Sequence, residues 1–120
     1  MAEDAPRGLQ VAVWKDGDAT VIAATGEADV TGTPPLREAL AHAVEREEGD
    51  VVVDLGGVTF LDSTGLATLL NVVRRLRRTG RALVVAAATP PVLRVIRMAH
   101  LEDDLRCAPT VEAGLARRRS

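Results

Sequence analysis

The sequence predicts a single α/β domain over residues 1–120: a mixed, mostly parallel β-sheet of about five strands, with about four helices. Three observations lead there. Short β-branched apolar runs alternate with segments of helical periodicity along most of the chain, the pattern of strands joined by crossover helices. The first two strand-like runs flank Asp16-Gly17-Asp18, a turn sequence, so the sheet opens with an antiparallel hairpin. The run Val51-Val52-Val53 carries no polar alternation before Asp54, which marks a strand covered on both faces. A length of 120 residues suits one core, and the 47% apolar fraction is nearly all aliphatic, with one Trp, one Phe and no Tyr.

The elements follow in order. Leu9, Val11 and Val13 alternate with Gln10, Ala12 and Trp14, a strand period. Ala19 to Ala24 returns as the second strand, and Thr25 to Asp29 leaves it as a loop. Thr33 caps a helix whose first position is Pro34, where a missing N–H costs nothing. Leu36, Ala39, Leu40, Ala43 and Val44 give that helix its buried stripe, and it ends near Glu47 to Asp50. Val51 to Leu55 is the central strand; Gly56-Gly57 interrupts it before a second apolar knot, Val58 to Leu61. Leu66, Leu69, Leu70, Val73 and Leu76 then share one face of a helix from about Ser63 to Thr79, closed by Gly80. Ala82 to Ala87 is a strand, Thr89-Pro90-Pro91 opens a third helix with Val92, Val95 and Ile96 inward, and Leu105 to Ala108 is a short last strand. Thr110 caps a final helix, Val111 to about Arg117. The domain core is expected over about residues 9–116, with 1–8 and 117–120 as flexible ends.

Composition excludes several functions. A single cysteine, Cys107, leaves no internal disulfide and no multi-cysteine metal site, and no metal or other cofactor is expected. The scarcity of aromatics argues against stacking recognition of nucleic acid. No apolar run reaches membrane-spanning length, and the acidic start Met1-Ala2-Glu3-Asp4-Ala5-Pro6 is not a secretory signal, so a cytoplasmic location is the default. The net charge of −2 conceals an asymmetry: residues 1–62 carry 4 basic and 13 acidic side chains, residues 63–120 carry 11 and 4. Such a split can mark a partner surface, and the favoured expectation is that the two halves neutralise one another across the fold. Arg74, Arg75, Arg77 and Arg78 crowd the end of the second long helix, where cations complement the helix dipole.

No enzyme signature survives inspection. A phosphoaccepting receiver needs an acidic cluster and a late Lys, whereas the sole Lys here is Lys15. Leu61-Asp62-Ser63-Thr64-Gly65 lacks the first glycine of a nucleophile elbow, and His42 and His100 are expected on the surface or in packing. A phosphate-cradling loop ending in Gly-Lys-Ser/Thr is also absent.

The chemistry of the chain centres on Asp62-Ser63-Thr64-Gly65, where a strand hands over to a helix. Asp62 suits the N-cap, and Ser63 then lies in the first turn, at the positive end of the helix dipole, a place that favours phosphate. Taken alone, the four residues also read as an ordinary helix start. With Gly26-Glu27-Ala28-Asp29 and Leu36-Arg37-Glu38-Ala39-Leu40 upstream, however, the arrangement from about Leu9 to Val111 resembles the STAS domain of bacterial anti-sigma factor antagonists.

That resemblance implies a small binding module in transcription regulation, without catalysis of its own, which takes part in partner switching in stress or developmental signalling. The unphosphorylated form would bind an anti-sigma factor serine kinase and free a sigma factor. Phosphorylation at Ser63 would switch it off, with Thr64, about 100° around the helix, the lesser acceptor, and a serine phosphatase would restore it. Asp29, Val30, Thr31 and Gly32, with Asp62, Ser63, Thr64, Gly65, Ala67, Asn71, Arg74 and Arg78, would form the partner surface. No direct contact with nucleic acid or membrane is implied, and the chain would be a monomer or weak dimer. Two departures stand out: Ala67 where a second Gly is common, and His100-Leu101 where Gly-Leu commonly closes the third helix. The rival readings are a non-phosphorylated adaptor subunit of a lipid or anion transport complex, and a nucleotide-binding sensor, for which no Gly-rich loop speaks.

Overall fold

The computed structural model describes residues 9–28 and 34–119. Its sheet has the order β1-β2-β3-β4, with β1 (Gln10–Asp16), β2 (Ala19–Ala28), β3 (Val51–Leu61) and β4 (Leu83–Ala86). β1 and β2 form the expected hairpin, and β2, β3 and β4 run parallel. The helices are α1 (Pro34–Arg46), α2 (Ser63–Arg77), α3 (Pro90–Met98) and α4 (Val111–Arg119). α1 and α2 are the crossover helices of the two βαβ units.

The interior is aliphatic throughout. On one face of the sheet Ile22, Val51, Val53, Leu55 and Val85 pack against Leu36 and Leu40 of α1, Leu69, Val73 and Leu76 of α2, and Val92 and Ile96 of α3. On the other face Val21, Val52, Val84 and Ala86 meet Val111 and Leu115 of α4. The sheet is thus covered on both faces, which is why β3 reads as an unbroken apolar run. The two aromatic side chains, Trp14 and Phe60, lie outside the core and are 45% and 46% exposed.

Three boundaries differ from expectation. β3 does not end at Gly56-Gly57 but continues to Leu61. Its register against β2 slips twice, from Ala23↔Asp54 to Thr25↔Gly57 and from Gly26↔Val58 to Glu27↔Phe60. Each slip places one extra β3 residue against β2, a bulge that continues the ladder. Gly57 suits the close approach there: a Cβ would lie 2.9 Å from Thr25 Oγ1 and 3.2 Å from the Ala24 carbonyl, so a larger residue would force a local shift. For the same reason β2 runs on to Ala28, because residues 25–28, expected as a loop, find partners on the second half of β3. The expected fifth strand is reduced to one bridge, Ala86↔Ala108. Arg106 adopts a left-handed backbone (φ +45°) and Pro109 follows, so the chain turns away after Ala108 has exchanged bonds with β4.

Helix ends obey the expected chemistry. Gly80 (φ +71°) closes α2: its N–H donates to the Arg77 carbonyl and that of Arg81 to the Leu76 carbonyl, a Schellman pattern. His100 makes the same pattern after α3 at φ +59°, with its N–H bonded to the Arg97 carbonyl and that of Leu101 to the Ile96 carbonyl. A histidine thus occupies a position that favours glycine, at some strain. Thr110 caps α4 through the Ala113 N–H at 3.0 Å, and α4 extends two residues beyond the expected end. The cap expected at Thr33 lies outside the described residues.

One fastening was not anticipated. The Arg81 guanidinium donates to three carbonyls, Ala43 at 2.9 Å, Val44 at 3.0 Å and Gly49 at 2.8 Å. It therefore gives the Val44 carbonyl in the last turn of α1 a donor, adds a second to the Ala43 carbonyl, which also accepts the Glu47 N–H at 3.3 Å, and ties both to Gly49 at the entry to β3. Beside it, Asp50 accepts the Ala82 N–H at 2.9 Å through Oδ1. The charge halves meet less than expected. Of the ion pairs among the described residues, Arg75–Glu45 joins the halves, whereas Lys15–Glu47 and Arg77–Asp104 lie within them. The hydrogen bond from Lys15, and then its charge, hold the Glu47 carboxyl below its ordinary pKa.

Arg81→Ala is expected to cost about 2–3 kcal/mol, since it removes three charge-assisted hydrogen bonds at a half-buried site and leaves the Val44 and Gly49 carbonyls without that donor. Arg81→Lys should recover only part of this, because one ammonium cannot span the fork. Thermal melts read both, with a fall on the order of 10 °C for the alanine variant.

Candidate functional site

The site lies where β3 delivers the chain into α2. Asp62 is extended (φ −102°, ψ −173°) and its Oδ1 accepts the Gly65 N–H at 3.0 Å, while its carbonyl accepts the Leu66 N–H at 3.0 Å. Asp62 is therefore the N-cap and Ser63 the first helical residue. By helix geometry the amides of Ser63 and Thr64 have no intrahelical acceptor. The Ser63 side chain is exposed and that of Thr64 half-buried. The first turn contains no acidic residue, so the cap carboxylate is the nearest negative charge along the helix.

Ser63 opens onto a groove of about 580 Å³ between α1 and α2. Arg37 and Ala41 of α1 line one wall, and Ser63, Thr64, Ala67, Thr68, Asn71, Val72 and Arg75 of α2 line the other. The Thr68 hydroxyl is turned back to the Thr64 carbonyl at 3.0 Å. Arg75 is tied to Glu45 at 3.1 Å, whereas Arg37 forms no hydrogen bond or ion pair among the described residues. Among the described residues, neither histidine nor any carboxylate lines this groove. Asp54, the residue that invites comparison with a phosphoacceptor, is used locally: its Oδ1 accepts the Gly56 N–H at 2.8 Å.

The predicted site residues divide into three groups. Ser63, Thr64, Ala67 and Asn71 share the groove, with Asp62 and buried Gly65 building the helix start behind them. Arg74 and Arg78 are exposed further along α2 and do not line the groove; Arg78 sits just past the last helical residue, as the C-cap. Asp29, Val30, Thr31 and Gly32 lie outside the described residues; the register Ala28↔Leu61 shows only that β2 ends beside the strand terminus that precedes Asp62.

The sequence does not single out Arg37, because the periodicity of α1 marks its buried stripe and not its outward face. Nor does it single out exposed Phe60, two residues before Asp62, since the bulges in β3 take that residue out of the apolar phase.

Comparison with known proteins shows the family. Residues 11–108 match the family described as Mlab, STAS domain, and the chain belongs to that STAS family. Among its relatives is a protein of Staphylococcus epidermidis named anti-sigma-B factor antagonist, 30% identical over 78 residues, which cover 65% of this chain and 72% of the relative. A crystal structure of an anti-sigma factor antagonist from Mycobacterium paratuberculosis superposes with a TM-score of 0.82 at 28% identity, over 97% of this chain and 98% of that one. The anti-sigma factor antagonist SpoIIAA of Bacillus, 20% identical, shares the fold in its unphosphorylated form (TM-score 0.77, covering 92% and 96%) and its phosphorylated form (0.69, covering 92% and 98%).

Asp62→Ala should destabilise the protein by about 1 kcal/mol through loss of the cap, and Asp62→Asn should be nearly neutral. Urea titration of the two variants, read by circular dichroism, distinguishes a capping Asp62 from one with no structural part.

Proposed function

We propose that this protein is an anti-sigma factor antagonist, and that its unmodified form docks an anti-sigma factor serine kinase through the face around Ser63. Docking frees the sigma factor that the kinase had held. The observation that carries the reading is the exposed Ser63 hydroxyl at the first position of α2, flanked by a groove and by Asn71 and Arg74 on the outward side. The name shared by the staphylococcal and mycobacterial relatives, and the existence of SpoIIAA in two phosphorylation states, support it.

Phosphorylation of Ser63 ends the association. The Ser63 Oγ–P bond forms as the γ-phosphoryl group leaves ATP; ADP departs, and the hydroxyl proton passes to a base of the kinase. The phosphoserine adds about −1.5 to −2 charge and three acceptor oxygens. Two local effects then oppose each other. The helix N-terminus stabilises the anion by about 0.3–1 kcal/mol, and the Asp62 carboxylate repels it. Folding stability changes little, while the interface loses much more, because a dianion must be desolvated against a surface shaped for a hydroxyl. A loss of about 3 kcal/mol there is about 100-fold in affinity. A serine phosphatase resets the switch.

Ser63→Ala is expected to bind the kinase within about threefold of wild type, and Ser63→Asp, which carries one charge, to lose roughly tenfold or more. Asn71→Asp and Arg74→Glu should each weaken binding by roughly tenfold, which is about 1.4 kcal/mol. Calorimetric titration with the purified partner measures all four; wild-type affinity in Ser63→Asp would sink the switch, and in both outward-face variants it would sink the docking surface.

A further inference from the structure

The two edges of the sheet are treated differently by the chain. Beyond β4, the Ala108 N–H donates to the Val85 carbonyl at 2.7 Å, the Ala87 N–H donates to the Ala108 carbonyl at 2.9 Å, and the Val85 N–H donates to the Leu105 carbonyl at 3.0 Å. That edge is closed. β1, at the other end of the order, is hydrogen-bonded to β2 alone among the described residues. Edge strands are usually blunted by proline, a bulge, shortness or outward charge. β1 has seven residues in unbroken register with β2 and no proline. Its one lysine, Lys15, is folded back onto Glu47 at 2.8 Å and the Asp18 carbonyl at 3.2 Å. At its centre Val13 is 53% exposed, and the chain's sole tryptophan, Trp14, is 45% exposed.

We infer that the outer edge of β1 pairs antiparallel with the same edge of a second copy, about a two-fold axis through Val13. Self-complementarity of the strand selects this occupant. Pairing centred on Val13 engages all seven residues, placing Val13 against Val13, Ala12 against Trp14, Val11 against Lys15, and Gln10 against Asp16. No like charges meet. Each tryptophan lies opposite a small residue and diagonal to the other tryptophan, within reach of an aromatic side chain. A shift of two residues either way leaves part of the strand unpaired. Trp is also the residue type most favoured at the centre of protein interfaces. No residue of β1 lines the groove at Ser63, so the proposed assembly goes beyond the switch and does not use its docking face.

A single shared edge is a small interface and gives weak association. Sedimentation velocity over roughly 5–500 µM, a range that spans micromolar dissociation constants, is expected to show the mass of the wild type double with concentration. Trp14 emission should shift to the blue over the same range. Val13→Lys and Val13→Glu place like charges on the axis, so each alone should remain monomeric, and an equimolar mixture of the two should dimerise. Val13 is on the surface, so both should fold, which circular dichroism checks; the concentration dependence of wild-type Trp14 emission needs no variant. A wild type that stays monomeric throughout, a Val13→Lys protein that dimerises like wild type, or a mixture that remains monomeric would each overturn the inference.

Discussion

The fold and the site both depend on β3 being held along its length while its C-terminal end is turned out into α2. β3 pairs with β2 on one side and β4 on the other, and its apolar side chains are buried from both faces. Its start is fastened by Arg81 and Asp50, which tie together the end of α1, the turn after α2 and the beginning of β4. Its end is fixed by Asp62, whose carboxylate takes the Gly65 amide. Between these fastenings the strand is paired with β2 along its length and, over Val51 to Asp54, with β4. Ser63 is therefore presented to solvent by a buried strand and a capped helix, a more definite placement than a surface loop would provide.

In the proposed switch, that placement would let one modification act on a partner and leave the fold alone. The phosphate would sit where the helix terminus attracts an anion and the cap carboxylate repels it, two effects of similar size and opposite sign. Neither is large against the burial of the aliphatic core. At an interface the balance differs, since a charge without a counter-charge there is costly to desolvate. The outward face of α2, with Ala67, Asn71 and Arg74, is polar and basic without being apolar enough to demand a permanent cover. Such a surface suits a partner that must come and go.

Much of the architecture was legible in the residues. The hairpin at Asp16-Gly17-Asp18, the capping role of Asp62, the Gly80 stop and the buried stripe of α1 each follow from short-range rules, and the structure bears them out. The errors lie where tertiary pairing overrides local signals. Gly56-Gly57 reads as a strand end by composition, yet β2 supplies a partner on the far side and the glycines become the room for a bulge. Leu105 to Ala108 has strand composition, yet the left-handed Arg106 leaves one bridge. Within the proposed site, the alignment of Ser63, Ala67 and Asn71 along one groove follows from helix geometry alone. Arg37 reaches the same groove from another helix, and only a known α1–α2 packing could have found it. Arg81 was hidden for the same reason, since its acceptors are 32 to 38 residues away.

The central claim is that Ser63 is a phosphorylation switch and does more than begin a helix. Phosphosite mapping by mass spectrometry on the protein from its native cells, growing and stressed, tests it most directly. The account predicts phosphate on Ser63, with an occupancy that changes between the two conditions. A Ser63 that carries no phosphate in either would contradict it and reduce Asp62-Ser63-Thr64-Gly65 to a helix cap.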